Sequence, residues 1–350
     1  MDIISLGLNY FRNFGEGAKV DFPKGRLLVV AAPNATGKTN FLEAMVILFR
    51  GKSWRASSSE CVGWEKDGFV IAGQIETIKG ESELLVGYEA AKRKISIQED
   101  GAPVSLVTLY GRYPVIIFLP EDTFLLVRGP EVRRNFMNSV LVSIPQYLSG
   151  LVQYYRVLKQ RNAALKQASG FDEVAGWTEV LLKPAEVLYK QRQVLTAFLA
   201  AQTAEIYKEI SGEECEIKID LKTDVTPDKL REALEKSFSQ EKRYGHTLLG
   251  PHRDDLVARV GGRPGRNAMS QGQMRSLVIA MKIASHRFLE QVVGEKPLVL
   301  LDEVLSELDE GRQEALLTHL PDTQIVMTCT ALPEALKDRD DVSVLDVRGL

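Results

Sequence analysis

The sequence has little that would mark a polycation, a disulfide-bonded protein or a membrane protein. Its 44 basic and 47 acidic side chains give a formal net charge of −3, so any contact with nucleic acid would need a local basic patch. The three cysteines, Cys61, Cys215 and Cys329, have no CxxC spacing, which argues against a disulfide framework or a zinc ribbon and fits a reducing compartment. The sequence shows neither the apolar core of a signal peptide nor a run near the roughly 18 apolar residues of a membrane span. We therefore expect a cytosolic protein that does not act at a membrane.

The composition and the order of patterns predict an α/β head interrupted by helices. With 350 residues, 45% of them hydrophobic and 26% charged, the chain can bury a core large enough for an enzyme. Strand-like alternation dominates 1–122, long helical patterns dominate 123–245, and strands return in 246–350. We predict that the first and last segments form one head and that 123–245 forms a mainly helical lobe. Inside that lobe, Pro184 lies within a helical pattern and predicts a kink or a break.

A candidate phosphate-binding loop, AAPNATGKTN, joins an apolar strand pattern to a helical pattern. Gly37-Lys38-Thr39 is typical of the end of such loops, in which backbone N–H groups and a helix N-terminus face phosphate. Lys38 would hold the β- and γ-phosphates of ATP, and Thr39 would be a ligand of Mg²⁺. A chance GKT before a helix is the alternative. The candidate nucleotide-binding residues of the loop are Ala32, Pro33, Asn34, Ala35, Thr36, Gly37, Lys38, Thr39 and Asn40.

The loop departs from the usual pattern at two positions. Ala32 and Ala35 stand where such loops usually have glycine. Where the loop requires a positive φ, a residue other than glycine costs about 1–2 kcal/mol. Since about 1.4 kcal/mol corresponds to a tenfold change in affinity, the expected result is a weakened site and not an abolished one.

PLVLLDE, at 297–303, is typical of a Walker B strand. Asp302 would hold Mg²⁺ through water, and Glu303 would orient and deprotonate the attacking water. With Lys38, these two acids are the candidate catalytic residues. The alternative is a buried strand that ends in a solvated acidic pair.

A third motif, MSQGQ, lies directly before a long helical pattern and resembles the signature motif of ABC-type ATPases. In those proteins this motif contacts the γ-phosphate of ATP held by a second subunit. The candidate residues are Ser270, Gly272 and Gln273, and the alternative is a polar helix cap with Ser270 as the capping residue. SELD, at 306–309, follows the Walker B strand. The four motifs occur in the order and at the spacing of that family, which favours the functional interpretation of each.

With these motifs in place, the chain resembles the RecF family of bacterial recombination mediators, which are related to the heads of SMC proteins. The resemblance covers nearly the whole length. The matching stretches are LNYFRNF, GKTNFLEAM, GKSWR, FLPEDTFLLVRGPEVRRNFMN, YYRVLKQRN, TLLGPHRDDL, SQGQMRSLVIAMKIA and LVLLDEVLSELD. The family usually has glycine at both alanine positions of the loop.

The resemblance implies an ABC-type P-loop ATPase head, a mixed sheet with flanking helices split by a mainly helical lobe, which forms a homodimer when ATP binds. It also implies binding to duplex DNA and to gapped or junction DNA. Action with RecR and RecO to place RecA on single strands is a further implication. By the same resemblance, Arg12 and Asn13 lie close to the nucleotide, Asp309 belongs to the D-loop, and Thr328 stands where transporter ATPases have a switch histidine.

Two other constellations have both a structural and a functional interpretation. The segment 128–166 contains seven basic side chains and a single acid, Glu131. The basic side chains would bind the phosphate backbone of DNA, or they would form a solvated helix face or internal ion pairs. They are Arg128, Arg133, Arg134, Arg156, Lys159, Arg161 and Lys166. GPHRDD, at 250–255, suggests a metal site, but a turn before a strand is favoured because no second His or Cys cluster supports a metal.

Three functions are compatible with these patterns. The first is an ATP-dependent DNA-binding switch with slow, DNA-stimulated ATP hydrolysis. The second is a DNA-binding scaffold with a weakened loop, which Ala32 and Ala35 favour. The third is a head of another SMC-like class, which is disfavoured because 123–245 is too short for heptad arms and no nuclease segment follows.

Overall fold

A computed structural model describes residues 1–23, 26–305, 308–320, 322–337, 339–345 and 347. The chain divides into two compact units, one made of Met1–Asp122 and Leu289–Leu350 and the other of Thr123–Phe288. No helix in these described ranges is both long enough and apolar enough to cross a membrane.

Most of the strands lie in the first unit, and a few lie in the second. The strands are β1 (Asp2–Asn9), β2 (Ala18–Asp21), β3 (Leu27–Ala31), β4 (Gly68–Thr77), β5 (Gly80–Glu89), β6 (Lys94–Glu99), β7 (Ala102–Pro103), β8 (Val115–Phe118), β9 (Ile217–Lys222), β10 (Asp255–Val260), β11 (Arg263–Pro264), β12 (Leu298–Asp302), β13 (Ile325–Cys329) and β14 (Val342–Leu345).

Helices connect the strands of the first unit and dominate the second. The helices are α1 (Lys38–Arg50), α2 (Leu106–Arg112), α3 (Pro130–Leu141), α4 (Pro145–Leu165), α5 (Asp172–Ser211), α6 (Pro227–Lys236), α7 (Phe238–Tyr244), α8 (Gly265–Ala268), α9 (Gln271–Val293) and α10 (Glu310–Thr318). Short 3-10 turns occur at Ser58–Cys61, Pro120–Phe124, Pro251–Arg253 and Glu334–Leu336.

Two sheets with different patterns form the first unit. The antiparallel sheet has the order β2-β1-β4-β5-β6-β7, and its strands alternate between buried and more exposed residues, as Ile3, Leu6 and Leu8 of β1 illustrate. The second sheet, in the order β14-β3-β13-β12-β8, is parallel throughout. Its central strands are continuous apolar runs because both faces are covered. α1 follows β3, as the helical spacing after the phosphate-binding loop predicts.

Parallel pairing brings the carboxyl ends of three strands to one edge of this sheet. Asp302 at the end of β12 pairs with Thr328 of β13, and Cys329 pairs with Ala31 at the end of β3. The loop after β3, the acidic pair after β12 and the end of β13 therefore meet there. This is the edge at which open α/β sheets bind ligands.

The second unit combines long helices with a small sheet of order β11-β10-β9. This unit spans Thr123–Phe288, and the helical lobe predicted from the sequence is 123–245. β9 and β10 pair along their whole length, from Ile217 with Val260 to Lys222 with Asp255, and the ring of Phe198 in α5 contacts that of Phe288 in α9. α5 runs for 40 residues through Pro184, so the break predicted there does not occur.

Candidate nucleotide-binding site

The loop between β3 and α1 has two residues at positive φ. Gly37 has a φ of 98°, and a Cβ there would lie 2.5 Å from Nδ2 of Asn13, so glycine is required both by conformation and by space. Ala35 has a φ of 66°, a conformation that costs a residue other than glycine about 1–2 kcal/mol. Ala32 is buried and does not lie in this region. The strain considered for both alanines thus applies to Ala35 alone.

The amine of Lys38 is held close to its own loop. Its Nζ donates to the carbonyl oxygens of Ala32 (2.6 Å) and Pro33 (3.1 Å) and to Oδ1 of Asn34 (3.4 Å). It also forms an ion pair with Oε1 of Glu303 at 3.0 Å. The Lys38 side chain is 4% exposed, so this charge lies in a largely enclosed position next to the start of α1.

Two hydroxyl groups converge on one carboxylate oxygen. Oδ1 of Asp302 accepts hydrogen bonds from Thr39 Oγ1 (3.0 Å) and from Thr328 Oγ1 (2.8 Å). Burial raises the pKa of Asp302, while the two hydroxyls act in the opposite direction. Thr39 lies in the first turn of α1, so this hydrogen bond connects the end of the phosphate-binding loop to the end of β12.

Glu303 has an uncommon backbone conformation directly after β12. Its φ is 56°, and its backbone N–H donates to Thr328 Oγ1 at 3.0 Å. Burial, followed by the nearby charge of Glu303, raises the pKa of the Cys329 thiol to about 11. This shift favours the protonated thiol of Cys329 at neutral pH.

A cavity of about 260 Å³ lies over this cluster. Its lining is polar and brings together predicted residues from the loop and from the end of β12. The lining residues are Asn34, Ala35, Gly37, Lys38, Thr39, Asn40, Arg55 and Glu303.

A buried carboxylate beside the loop was missed by the sequence interpretation. Glu43 of α1 is fully buried and accepts two hydrogen bonds from Arg12 (both 2.9 Å), one from Arg55 (2.9 Å) and one from Ser53 (2.6 Å). Burial opposes its ionisation, but these three donors outweigh burial and lower the pKa of Glu43 to about 2. The signal that could have found it is the GKSWR stretch, which contains Ser53 and Arg55.

Arg12 and Asn13, which the family resemblance places close to the nucleotide, both make hydrogen bonds to side chains of α1. Arg12 is turned toward Glu43, and Asn13 Oδ1 accepts from Nδ2 of Asn40 at 2.5 Å. Arg55 donates to Oδ1 of Asn40 at 2.6 Å. Asn13, Asn40 and Arg55 thus form a hydrogen-bonded rim next to Gly37.

Comparison with known proteins identifies the family. No family model matches the chain, but individual proteins do. A DNA replication and repair protein RecF from Trichlorobacter lovleyi is 34% identical and covers 88% of this chain and 86% of its own length. One from Clostridium kluyveri is 33% identical and covers 99% of this chain and 97% of its own length. The chain belongs to the RecF family.

Solved structures agree on the fold. A recombination mediator protein RecF of the RecFOR pathway, solved with ATP, matches with a TM-score of 0.86 at 30% identity, over 95% of this chain and 92% of that chain. An Smc head bound to the C-terminal winged-helix domain of ScpA matches with a TM-score of 0.55 at 16% identity. The predicted fold class, an ABC-type ATPase head, is confirmed.

Two of the stretches that carry the resemblance to the RecF family contact each other within the second unit. His252 of GPHRDD contacts Tyr154 of YYRVLKQRN, with Nδ1 and the phenol oxygen 2.7 Å apart, while Nε2 lies 3.0 Å from the carbonyl oxygen of Thr247. Asp254 is buried in an ion pair with Arg192 at 2.8 Å. Among the described residues, no group of three or more His, Cys, Asp or Glu side chains could hold a metal ion. The turn interpretation of GPHRDD is the one that the structure supports.

The RecF-family signature segment begins α9 in the second unit. Ser270 is exposed, its N–H donates to Gln273 Oε1 (2.9 Å), and its Oγ accepts from the Gln273 N–H (3.3 Å). This reciprocal pair is a capping box, so the capping role is present. The carbonyl of Gly272 accepts from Ser276 at 3.2 Å. The trans role of this segment stays a prediction.

Only part of the predicted D-loop segment, SELD, lies within the described residues. Ser306 and Glu307 of SELD lie outside the described residues. Asp309 caps α10, accepting from the Arg312 N–H at 3.0 Å, and forms an ion pair with that side chain at 2.8 Å.

The basic stretch separates into internal and exposed side chains. Arg161 is fully buried, 2.7 Å from Glu241, and so cannot reach DNA, which corrects its predicted role. Arg133 forms a two-bond ion pair with Asp255 at 2.6 and 3.0 Å, and Arg134 donates to the Asp254 carbonyl at 2.8 Å. The exposed members are Arg128, Arg156, Lys159 and Lys166.

Proposed function

We propose that this chain is an ATP-dependent DNA-binding protein of recombinational repair and replication-fork maintenance. The observation that carries the proposal is the convergence of Lys38, Thr39, Asp302 and Glu303 at the carboxyl edge of the parallel sheet. A buried amine, a hydroxyl and two neighbouring acids are groups that phosphoryl transfer requires, and Lys38, Thr39 and Glu303 line the cavity while Asp302 contacts Thr39. The ATP-bound RecF relative supports the same ligand here.

The hydrogen-bond donors of the loop suit the phosphates of ATP. Backbone N–H groups at the start of α1 and the amine of Lys38 would hold its phosphates. The Thr39 hydroxyl and the Asp302 carboxylate, 3.0 Å apart, are oxygen ligands of the kind that Mg²⁺ prefers. Bound Mg²⁺ supplies charge neutralisation at the phosphates.

Glu303 is the proposed general base. In the ion pair with Lys38 its carboxylate is held at 3.0 Å from the amine. When Lys38 turns to phosphate, the carboxylate loses this partner and is left to orient water and accept its proton. Strain at Ala35 and the exchange of this ion pair both oppose tight ATP binding. By family membership we also propose that turnover is slow and is stimulated by DNA.

A homodimer completes each site in this proposal. Ser270, Gly272 and Gln273 at the start of α9 would contact the γ-phosphate held by the partner subunit, with Asp309 at the same interface. The exposed N-terminus of a 23-residue helix, with a hydroxyl at its cap, is suited to an anion.

DNA would bind along the exposed basic residues Arg128, Arg156, Lys159 and Lys166. The phosphate backbone, in duplexes and at single-strand junctions, is their expected ligand. By family membership we extend the proposal to RecO and RecR as partners in loading RecA, and to a cytoplasmic location.

The second candidate is a DNA-binding scaffold with little or no turnover. The φ of 66° at Ala35 favours it, because that strain weakens the phosphate-binding loop. Measuring the oligomeric state in solution with and without ATP distinguishes the switch from the scaffold. The switch predicts that wild type dimerises transiently and that Glu303→Gln accumulates as an ATP-bound dimer. A Glu303→Gln protein that binds ATP and stays monomeric would support the scaffold.

A further inference from the structure

Thr328 joins the two acids of the proposed site. Its hydroxyl donates to Asp302 Oδ1 at 2.8 Å and accepts from the Glu303 N–H at 3.0 Å. Thr328 is 2% exposed, and the parallel pairing of β12 and β13 places it directly beside Asp302. The sheet itself therefore fixes the position of the hydroxyl.

Glu303 depends on such support because its backbone is in a disfavoured region. Residues with a Cβ rarely adopt its φ of 56°. The hydrogen bond to Thr328 satisfies the N–H of Glu303 in this conformation, and loss of an acceptor by a partly buried N–H is unfavourable. Without the hydroxyl, the peptide before Glu303 would be free to rotate and to carry the carboxylate with it.

We propose that Thr328 is a positioning residue for Glu303 and acts through that backbone N–H, not by contacting phosphate. The inference rests on the proposed function, since it needs Glu303 as the base. A threonine hydroxyl has one proton to donate, and here Asp302 receives it. An anionic phosphate would find only lone pairs on this oxygen. The role differs from the switch role that the position in the sequence implied.

The test compares Thr328→Val, which removes the hydroxyl and keeps the shape, with Thr328→Ser, which keeps the hydroxyl. Valine should lower kcat for ATP at least about tenfold and leave KM for ATP and the Mg²⁺ dependence within about twofold. Serine should keep most of the turnover. In a Glu303→Gln background, valine should cause no further loss. Thr328→Ala replaces valine if the valine variant does not fold.

A second measurement does not depend on turnover. Amide hydrogen exchange at Glu303 should be faster in Thr328→Val than in wild type and close to wild type in Thr328→Ser. Weaker ATP or Mg²⁺ affinity with valine would overturn the proposal in favour of a role through Asp302 or phosphate. Unchanged exchange or equal defects in both variants would also overturn it. An inactive wild type that still shows the exchange difference would instead reject the proposed ATPase function, and the positioning of a base with it.

Discussion

The amine of Lys38 and the carboxylate of Glu303 lie 3.0 Å apart, although they come from the start of α1 and the end of β12. The group that would bind phosphate and the group that would activate water are thus each other's partner. Phosphate must compete with Glu303 for Lys38, and success in that competition releases the base. Glu303→Gln removes the competing charge, so it should not weaken ATP binding while it blocks hydrolysis.

Ala35→Gly should tighten ATP binding by up to about tenfold. The substitution relieves a φ of 66° that costs alanine about 1–2 kcal/mol. The greater freedom of glycine in the loop offsets part of this gain. Ala32→Gly is the matched control, because Ala32 is not at positive φ, and it should bring no gain. Calorimetric titration with a non-hydrolysable ATP analogue measures both, and equal affinities for wild type and Ala35→Gly would refute the strain argument.

Mixing two inactive variants should restore partial ATPase activity. Ser270→Arg puts a bulky cation where the partner's γ-phosphate would approach, and Lys38→Ala removes the phosphate-binding amine. A mixed dimer then has one site with both changes and one with neither. Each parent must be folded, since Ser270 also caps α9 and its loss costs about 1 kcal/mol. A mixture that stays inactive although both parents are folded would rule out a site shared between subunits.

The position of the two central motifs at strand ends could be read from the sequence. Gly37-Lys38-Thr39 and Asp302-Glu303 each follow a strand, and parallel strands bring such ends together whatever the rest of the fold. The contacts of Glu43 were not predictable, because Arg12 and Arg55 meet it only after two separate segments, one before and one after α1, fold against that helix.

Burial and non-local pairing explain the other differences. Arg161 looks like a surface cation in sequence, yet it lies on the packed face of α4 with Glu241 as its partner. Charge counts along a helix do not show which side is covered. The pairing of β9 with β10 joins segments about 40 residues apart, so that residues beyond 245 belong to the second unit.

Replacing exposed charges on α4 should weaken DNA binding without affecting the fold. Arg156→Gln with Lys159→Gln should lower affinity for all sequences and reduce the slope of log K against log salt by about 2. Lys94→Gln, an exposed lysine of the antiparallel sheet, is the control and should leave the slope unchanged. Arg161→Gln should instead destabilise the protein by about 3–5 kcal/mol, because Glu241 would stay buried without its cation. Fluorescence anisotropy over a salt series reports the first effect, and an unchanged slope for the double variant would mean that these residues only face solvent.

His252 should make stability depend on pH in a defined window. Its Nε2–H donates to the Thr247 carbonyl, which can only accept. In the neutral ring, Nδ1 then accepts from the Tyr154 hydroxyl. Burial lowers the pKa of His252 from 6.5 to about 4. The unfolded chain therefore binds more protons between these values, and the stability from this group is complete above pH 6.5 and is lost as the pH falls toward 4.

Urea unfolding at a series of pH values measures this effect. Wild type should lose up to about 3 kcal/mol relative to His252→Gln between pH 6.5 and 4, the equivalent of the pKa shift. His252→Gln should be less stable at pH 7 and should lack that slope. Other groups titrate in acid as well, among them Glu43, whose pKa is lowered, and Asp254 and Asp302, whose pKa values burial raises, so the difference between wild type and His252→Gln is the quantity that reports on His252. If the free energy of unfolding depends on pH in the same way in wild type and in His252→Gln, the contact between Tyr154 and His252 does not hold the ring neutral. GPHRDD and YYRVLKQRN would then be joined by packing alone.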